Sequence, residues 1–277
     1  MNFDENNLFI DIPDYVKNPL GIDGTDKIQI GCAPDAIKQN GTCYSDSSIA
    51  KMKSVVPEKK YADATEVVNA VDIKFGCKTD PECITKNGGL DLNLLNTDFV
   101  PKGPINGEWL SNFDIIACFD MWARIHKHFI YIEPQMNDFE RHNKELSQVD
   151  WKKFKNDPEH KIIGCVINTD NYGNRGQHWV AIVSDNKDKT IEYFDSAGGA
   201  PSNEIMRFVE KVSAITGFRV VYCNQVKHQQ ENSECGVYCI YYILCRLHNV
   251  KPEYFLNPNK RLHDKLMRVF RVWIYRP

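Results

Sequence analysis

Cys235 begins the segment CGVYCIYYILCRLHN, where a polar loop gives way to a run that is apolar on nearly every side. Such a run predicts a buried helix. A thiol at a helix N-terminus faces unpaired backbone N–H groups and the positive end of the helix dipole, and both favour the thiolate. Gly236 lacks a Cβ, which lets a substrate backbone come close. Nucleophilic chemistry is therefore indicated at Cys235, whereas Cys239 and Cys245 are predicted to serve only in packing.

His178 is the candidate general base that a nucleophilic cysteine requires. It follows the polar loop DNYGNRGQ and starts the predicted strand HWVAIVSD. A residue at a strand end beside a loop is placed to line a cleft. Considered alone, however, His178 also fits the role of a surface histidine at a strand start. Cys235 considered alone likewise fits a structural role in packing.

Asp195 is the candidate residue that orients this histidine. The segments HWVAIVSD and TIEYFDS predict a hairpin around the turn NKDK, in which Asp185 pairs with Thr190. In that register Asp195 is the diagonal neighbour of His178 on the same face of the hairpin. Such neighbours lie about 7–8 Å apart, which two side chains can span. A slip of one residue would place the two on opposite faces.

Gln229 is the candidate oxyanion donor, together with the backbone N–H of Cys235. Acyl transfer to a thiol develops negative charge on the carbonyl oxygen, which needs hydrogen-bond donors already aimed at it. Gln229 lies six residues before Cys235 in the polar stretch HQQENSE. Without the neighbouring motifs, it is simply a polar loop residue.

The order of predicted elements indicates an α+β fold, with a small sheet and helices packed on it. Helices are predicted for TEVVNAVDIKF, for the segment that begins SNFDIIACF, for SNEIMRFVEKVSAITG and for the run after Cys235. Strands are predicted for KIIGCVINTD, for the two arms of the hairpin and for FRVVYCNQV. The stretch VPKGPINGEW, with its glycines and prolines, predicts a boundary between an N-terminal region and this fold.

Composition excludes several classes of protein. The chain has 277 residues, 42% of them hydrophobic, and a net charge of −3, which argues against a disordered tail or a basic nucleic-acid binder. No segment resembles a signal peptide or is long enough to span a membrane. We therefore expect a reducing compartment and free thiols at all ten cysteines. The spacing of Cys32, Cys43, Cys77 and Cys83 does not match paired zinc ligands, so no metal and no cofactor are expected.

Taken together, the motifs resemble the SUMO-protease and adenovirus-protease superfamily of cysteine peptidases. The segments WLSNFDI, VINTDNYGNRGQHWVAIVSD, IEYFDSAG and QQENSECG occur in the order that this family shows. Within it, residues 75–277 are most similar to the polyprotein-processing proteases of African swine fever virus and other large cytoplasmic DNA viruses. Those viral enzymes carry Asn where this chain has Asp195, whereas SUMO proteases carry Asp, and either residue can accept the imidazole N–H.

The resemblance implies a papain-like or adenain-like protease core over residues 105–277, preceded by a mostly helical arm region over residues 1–104. It implies a central mixed sheet flanked by helices, with the nucleophile at the N-terminus of a buried helix. It also implies the roles of Cys235 as nucleophile, His178 as base, Asp195 as orienting residue, and Gln229 with the Cys235 N–H as oxyanion hole.

For the substrate, the resemblance implies cleavage of viral structural polyproteins after Gly-Gly-X or Ala-Gly-X during virion maturation, in the host cytoplasm and in the virion. Trp109 and Trp179 are candidates for a lid over a narrow groove, with core tryptophans as the equal alternative. Asn168 is a candidate groove residue or a strand-end cap. Host ubiquitin-like conjugates, acetyl transfer and a non-enzymatic scaffold are the other functions considered, and activation by a nucleic acid or a peptide stays open.

Overall fold

Four short helices build the N-terminal part of the chain that the structure describes. This computed structural model describes residues 31–36 and 40–277. The first three helices begin at capping side chains, such as Asp63, which accepts the backbone N–H of Glu66, and the second ends at Gly76 in the left-handed conformation. They are α1 (Asp46–Lys53), α2 (Ala64–Phe75), α3 (Pro81–Asn87) and α4 (Leu94–Thr97).

This helical region forms its own compact unit and its own apolar cluster, which includes Met52, Val67, Val71 and Phe99. Among the described residues, those up to Ile105 are grouped with Val272–Pro277, and Asn106–Arg271 form a second unit. The helix predicted for TEVVNAVDIKF is confirmed as α2, and so is the helical character of the arm. The boundary at residues 104 and 105 stays a prediction.

Two disulfides lie in the arm, joining Cys32 to Cys43 and Cys77 to Cys83. The expectation of free thiols is therefore wrong for these four cysteines. Their Cα atoms lie 5.2 and 5.4 Å apart, a separation that a disulfide spans. Chain reversals such as the left-handed turn at Gly76 bring the pairs together, and sequence gaps alone do not reveal where the Cβ atoms point. The other cysteines are buried thiols: Cys118, Cys165, Cys223, Cys235, Cys239 and Cys245.

A five-stranded mixed sheet forms the centre of the second unit. Its strands are β1 (Phe129–Met136), β2 (Ile162–Asn168), β3 (Trp179–Asp185), β4 (Thr190–Phe194) and β5 (Arg219–Cys223). They lie side by side in sequence order. The outer pairs, β1 with β2 and β4 with β5, are parallel, and β3 is antiparallel to both of its neighbours.

The predicted hairpin register is confirmed. Asp185 pairs with Thr190 at the closed end of the β3–β4 hairpin, and Ala181 pairs with Phe194 at its open end. The turn between the strands is the predicted NKDK segment, residues 186–189. Continuation of this register beyond the last pair puts His178 and Asp195 on the same face, as the alternation of side chains requires.

Helices cover both faces of the sheet, as predicted for an α+β protease fold. On one face, α7 (Trp151–Lys155) and the amphipathic α8 (Asn203–Thr216) pack on apolar residues of β2, β3 and β4 such as Ile163, Ile182 and Ile191. On the other face lies α9 (Cys235–Leu247), which contacts β2 and β3. The other helices are α5 (Asn112–Ile125), α6 (Glu145–Gln148) and α10 (Asp264–Ile274).

Helix α9 is buried along its whole length, which confirms the prediction made from its apolar sequence. A Cβ at Gly164 of β2 would come within 3.2 Å of the Ile243 side chain, so glycine there lets the helix approach the sheet closely. No helix of the described residues is long and apolar enough to cross a membrane.

The guanidinium of Arg246 is a fully buried cation near the C-terminal end of α9. It binds Glu192 on β4 at 2.9 Å and Asp185 at the end of β3 at 2.7 Å. Asp188 in the hairpin turn accepts a third contact at 2.8 Å, and Tyr242 donates its hydroxyl to Glu192 at 2.6 Å. These contacts fix the position of α9 along the hairpin that carries His178 and Asp195.

Replacing this cation, in Arg246→Met, is expected to lower the free energy of unfolding by about 3–5 kcal/mol, because buried carboxylates lose their partner. The matched control is Arg219→Met, whose ion pair with Glu253 is exposed and is expected to contribute about 0–1 kcal/mol. Urea denaturation of both variants followed by circular dichroism checks the difference. Equal losses in the two variants would contradict an anchoring role for Arg246.

Candidate active site

Cys235 is the first residue of α9 and is almost fully buried. The preceding residue, Glu234, makes no side-chain hydrogen bond to the first turn, so backbone N–H groups of that turn stay available. A Cβ at position 236 would come within 3.2 Å of Leu110 and of Trp179. Gly236 is thus explained by close packing of the helix start against these side chains, a different reason from the substrate approach suggested by the sequence.

A buried ion pair neutralises the carboxylate next to the nucleophile candidate. Both side chains, Glu234 and Arg271 of α10, are fully buried, and they contact each other at 2.7 Å. Arg271 also donates to the backbone carbonyl oxygen of Glu108 at 2.8 Å, next to Trp109. The carboxylate directly before Cys235 is therefore paired with a buried cation.

His178 lies between Asp195 and Cys235 in a chain of hydrogen bonds. Its Nε2 atom is 2.7 Å from Oδ1 of Asp195, and its side chain also shares a hydrogen bond with Cys235. Because Nε2 is engaged by the carboxylate, Nδ1 is the ring nitrogen left for the sulfur. The structure thus brings together the three residues that sequence reasoning selected from distant segments.

The surroundings of His178 favour its charged form. Burial lowers the pKa of His178, but the hydrogen bonds and charges of Asp195 and Cys235 outweigh burial and raise the pKa from 6.5 to about 10. The imidazolium is therefore the form expected at neutral pH, where it can return a proton to a leaving group.

The other thiols of the same helix lie in a different environment. Burial raises the pKa of Cys239 well above its ordinary value of 9.0, and burial raises the pKa of Cys245 to about 12. Both are therefore protonated at neutral pH, and only thiolates are good nucleophiles. Their burial agrees with the packing role that the sequence predicted for them.

Asp195 is held by backbone donors from the turn that follows β4 and by a side chain of β4 itself. Its Oδ1 accepts the backbone N–H of Ala197 at 2.8 Å, and its Oδ2 accepts that of Gly199 at 3.1 Å. The hydroxyl of Tyr193 lies 3.5 Å from Oδ2. A Cβ at Gly199 would stand only 2.6 Å from the same oxygen. Ala197 and Gly199 therefore form the cradle of the carboxylate.

Gln229 lies buried in the segment between β5 and α9. Its Oε1 atom accepts the hydroxyl of Ser196 at 2.8 Å, and its Nε2 atom donates to the carbonyl oxygen of Glu231 at 2.6 Å. Its backbone N–H donates to the carbonyl oxygen of Ser196 at 2.8 Å. Sequence reasoning missed Ser196, although its position directly after Asp195 is a usable signal.

The three candidate groove residues differ in their surroundings. Trp179 is buried and donates its Nε1–H to the carbonyl oxygen of Leu110 at 3.0 Å, whereas Trp109 is 52% exposed. Asn168 is buried, and its Oδ1 accepts the backbone N–H groups of Asp170 and Gln177, which closes the loop before His178. The roles of these three residues toward substrate stay predictions, and Trp109 is the one whose exposure favours direct contact.

In the part of the chain that the structure describes, no three His, Cys, Asp or Glu side chains are grouped so that they could hold a metal ion. The arrangement described above instead supports acyl transfer through a thiol, which needs a nucleophile, a base and an oxyanion donor.

Comparison with known proteins places residues 116–275 in the Ulp1 protease family, C-terminal catalytic domain. The SUMO-1 cysteine protease of an African swine fever virus isolate is 35% identical over 231 residues, which cover 73% of this chain and 84% of the viral protein. A thiol-protease homologue from Acanthamoeba polyphaga mimivirus is 26% identical over 251 residues, covering 77% of this chain and 83% of the relative.

The fold is also similar to a crystal structure of the African swine fever virus protease. The two superpose with a TM-score of 0.66 at 29% sequence identity, covering 89% of this chain and 95% of the other. A mixed sheet flanked by helices and preceded by a helical region is therefore the architecture of both.

Substituting Gly199 by alanine is expected to lower kcat by about 10- to 100-fold, because a displacement of about 1 Å in a catalytic group can have an effect of this size. The new Cβ would clash with Oδ2 of Asp195, while binding of substrate and folding are expected to be preserved. Steady-state kinetics checks this, with Ala200→Ser in the same exposed turn as control. An unchanged kcat in Gly199→Ala would contradict the cradle.

The pH dependence of catalysis is expected to report the raised pKa of His178. Since the imidazolium form is lost as the pH rises through about 10, kcat/KM should fall there in the wild-type chain. Asp195→Asn removes the negative charge that raises this pKa, so the basic limb should move to lower pH.

Asp157→Asn is the matched control, because Asp157 forms a similar pair with His160 at 2.9 Å on the surface. A basic limb that stays in place in Asp195→Asn would show that His178 does not depend on this carboxylate.

Proposed function

The chain belongs to the Ulp1 protease family and is a cysteine protease, and from this premise we propose that Cys235, His178 and Asp195 are its catalytic residues. The observation that carries the proposal is the continuous set of hydrogen bonds from Asp195 through His178 to Cys235 at the N-terminus of a buried helix. We also propose that the oxyanion is held by the backbone N–H of Cys235 and the side-chain amide of Gln229.

In the acylation step, the Cys235 thiolate attacks the scissile carbonyl carbon, and the π electrons of the carbonyl move to its oxygen. Gln229 Nε2 and the Cys235 N–H donate to this oxyanion and stabilise the tetrahedral intermediate. Collapse of the intermediate breaks the C–N bond, and the amine leaves with the proton from Nδ1 of His178. A thioester on Cys235 remains.

In the second step, water attacks the thioester carbon and gives its proton to Nδ1 of His178. The C–S bond then breaks, the product leaves as a carboxylic acid that gives its remaining proton to the solvent, and the thiolate and imidazolium pair is restored. Asp195 keeps the ring in one orientation during both steps and stabilises its cationic form.

For the substrate, we propose viral structural polyproteins cleaved after Gly-Gly-X or Ala-Gly-X. Support comes from the related proteins, which are viral proteases, and from the crowded surroundings of the nucleophile. Leu110 and Trp179 lie against Gly236 next to Cys235. Residues without bulky side chains fit such a narrow approach best, since glycine has no Cβ. Cleavage during virion maturation in the host cytoplasm and the virion is part of this proposal.

Host ubiquitin-like conjugates are the second candidate substrate. The name of the African swine fever virus relative, a SUMO-1 cysteine protease, favours this alternative for that protein. The chemistry at Cys235 would be identical for both substrates. What differs is the partner surface, because a folded ubiquitin-like domain needs a broad docking area in addition to the groove.

Three substrates distinguish these proposals: a panel of peptides with Gly-Gly-X and Ala-Gly-X sites, a ubiquitin-like conjugate, and acetyl-CoA with an acceptor peptide. Wild type is expected to cleave the peptides, and Cys235→Ser to lose this activity. Cys245→Ala, which removes another thiol from the same helix, is the matched control and is expected to keep it. Mass spectrometry of the products identifies the bond that is cut.

Cleavage of the conjugate without cleavage of the peptides would favour the second candidate. Acetyl transfer without hydrolysis would overturn the protease mechanism at this site. Full peptide cleavage by Cys235→Ser would show that another residue is the nucleophile.

A further inference from the structure

We propose that Ser196 is a positioning residue that fixes the side-chain amide of Gln229, so that Nε2 faces the substrate oxyanion. The inference rests on the proposed function, in which Gln229 is an oxyanion donor. It concerns a serine with no part in the thiol, imidazole and carboxylate chemistry. Ser196 is fully buried, and its hydroxyl points to Gln229 Oε1 at 2.8 Å.

The orientation of a glutamine amide is decided by the partners at its two ends. At one end, the carbonyl oxygen of Glu231 lies 2.6 Å from Gln229 Nε2. A carbonyl oxygen can only accept, so this end must be the NH₂ group. The other end is then Oε1, which needs a donor, and the Ser196 hydroxyl is the group that supplies it. Nε2 carries two hydrogens, and the one not used by Glu231 is left for an oxyanion.

The Glu231 carbonyl is itself held in place, which makes the first contact rigid. The backbone N–H groups of Gln230 and Glu231 donate to one oxygen of Asp264 at 3.0 and 3.1 Å. The second oxygen of Asp264 accepts the hydroxyl of Tyr238 on α9 at 3.3 Å. Glu231 therefore sets the direction of Nε2, and Ser196 is the remaining contact that keeps the amide from rotating away.

Ser196 also connects the carboxylate of the proposed mechanism, Asp195, to the proposed oxyanion donor, Gln229. It directly follows Asp195, and its carbonyl oxygen accepts the backbone N–H of Gln229 at 2.8 Å. Two hydrogen bonds thus tie the turn that carries the carboxylate to the segment that carries the oxyanion donor. Removal of the hydroxyl breaks only the side-chain bond and leaves Oε1 buried without its donor, a state that favours rotation of the amide.

A double-mutant cycle tests this role with Ser196→Ala, Gln229→Ala and the combined variant. Ser196→Ala is expected to lower kcat by about 10- to 100-fold with KM unchanged, somewhat less than the about 100- to 1,000-fold loss expected for removing an oxyanion donor. In the Gln229→Ala background, the same serine substitution is expected to have no further effect, because Ser196 acts only through the amide.

Two further readouts separate positioning from a general structural role. Alkylation of Cys235 by iodoacetamide forms no oxyanion, so its pH profile should be the same in Ser196→Ala and wild type. Ser196→Thr keeps the hydroxyl and should retain more activity than Ser196→Ala. Ser184→Ala is the matched control, since Ser184 is an equally buried serine that donates to a backbone carbonyl in the hairpin.

Hydrolysis of p-nitrophenyl acetate, alongside a Gly-Gly-X peptide, makes the result independent of the peptide specificity proposed above. If wild type hydrolyses the ester through Cys235 but does not cleave the peptide, the proposed substrate is contradicted. The double-mutant cycle is then measured on the ester. An equal effect of Ser196→Ala with and without Gln229, a shifted alkylation profile, or an unchanged kcat would each overturn the positioning role.

Discussion

Complete burial of helix α9 is the constraint on which the rest of the protease unit depends. A helix that is apolar on every side must be enclosed, yet its first residue must stay chemically competent. The structure meets the first requirement by placing α9 against β2 and β3, with Gly164 allowing a close approach. For the second, Cys235 at the start of the helix faces His178, which precedes β3 and in turn contacts Asp195 after β4.

The charged groups around this helix follow from the same constraint. A buried carboxylate at each end of α9, Glu234 near the start and Glu192 near the end, is paired with a buried arginine. Such pairs are weak sources of stability in themselves, but loss of one partner is costly. Their effect is to fix the helix in one position along the sheet. A nucleophile on a rigid element needs little reorganisation during the reaction.

The turn after β4 concentrates several functions in a few residues. Asp195 orients the imidazole, Ser196 holds the proposed oxyanion donor, and Gly199 leaves room for the carboxylate. Each function uses a different property: charge, a hydroxyl and the absence of a side chain. Such a turn is therefore sensitive to small substitutions even where its residues are exposed.

The sequence by itself determined the chemistry and much of the local structure. Residue types and order selected Cys235, His178, Asp195 and Gln229 as candidates, and alternation of side chains predicted the hairpin register that the structure confirms. These features depend on neighbours along the chain or on a single strand pair, so they are visible in a linear pattern. Strand β1 was missed, because Pro134 within it argues against a regular strand and the pairing shifts there.

Only the tertiary structure decided the contacts that depend on direction in space. The disulfides of the arm require two Cβ atoms to point at each other, which the gaps between cysteines do not disclose. The pairing of Ser196 with Gln229, and the packing of Leu110 and Trp179 against Gly236, join segments that are distant in the chain. Such contacts arise from the way the whole fold brings loops together, and no local pattern specifies them.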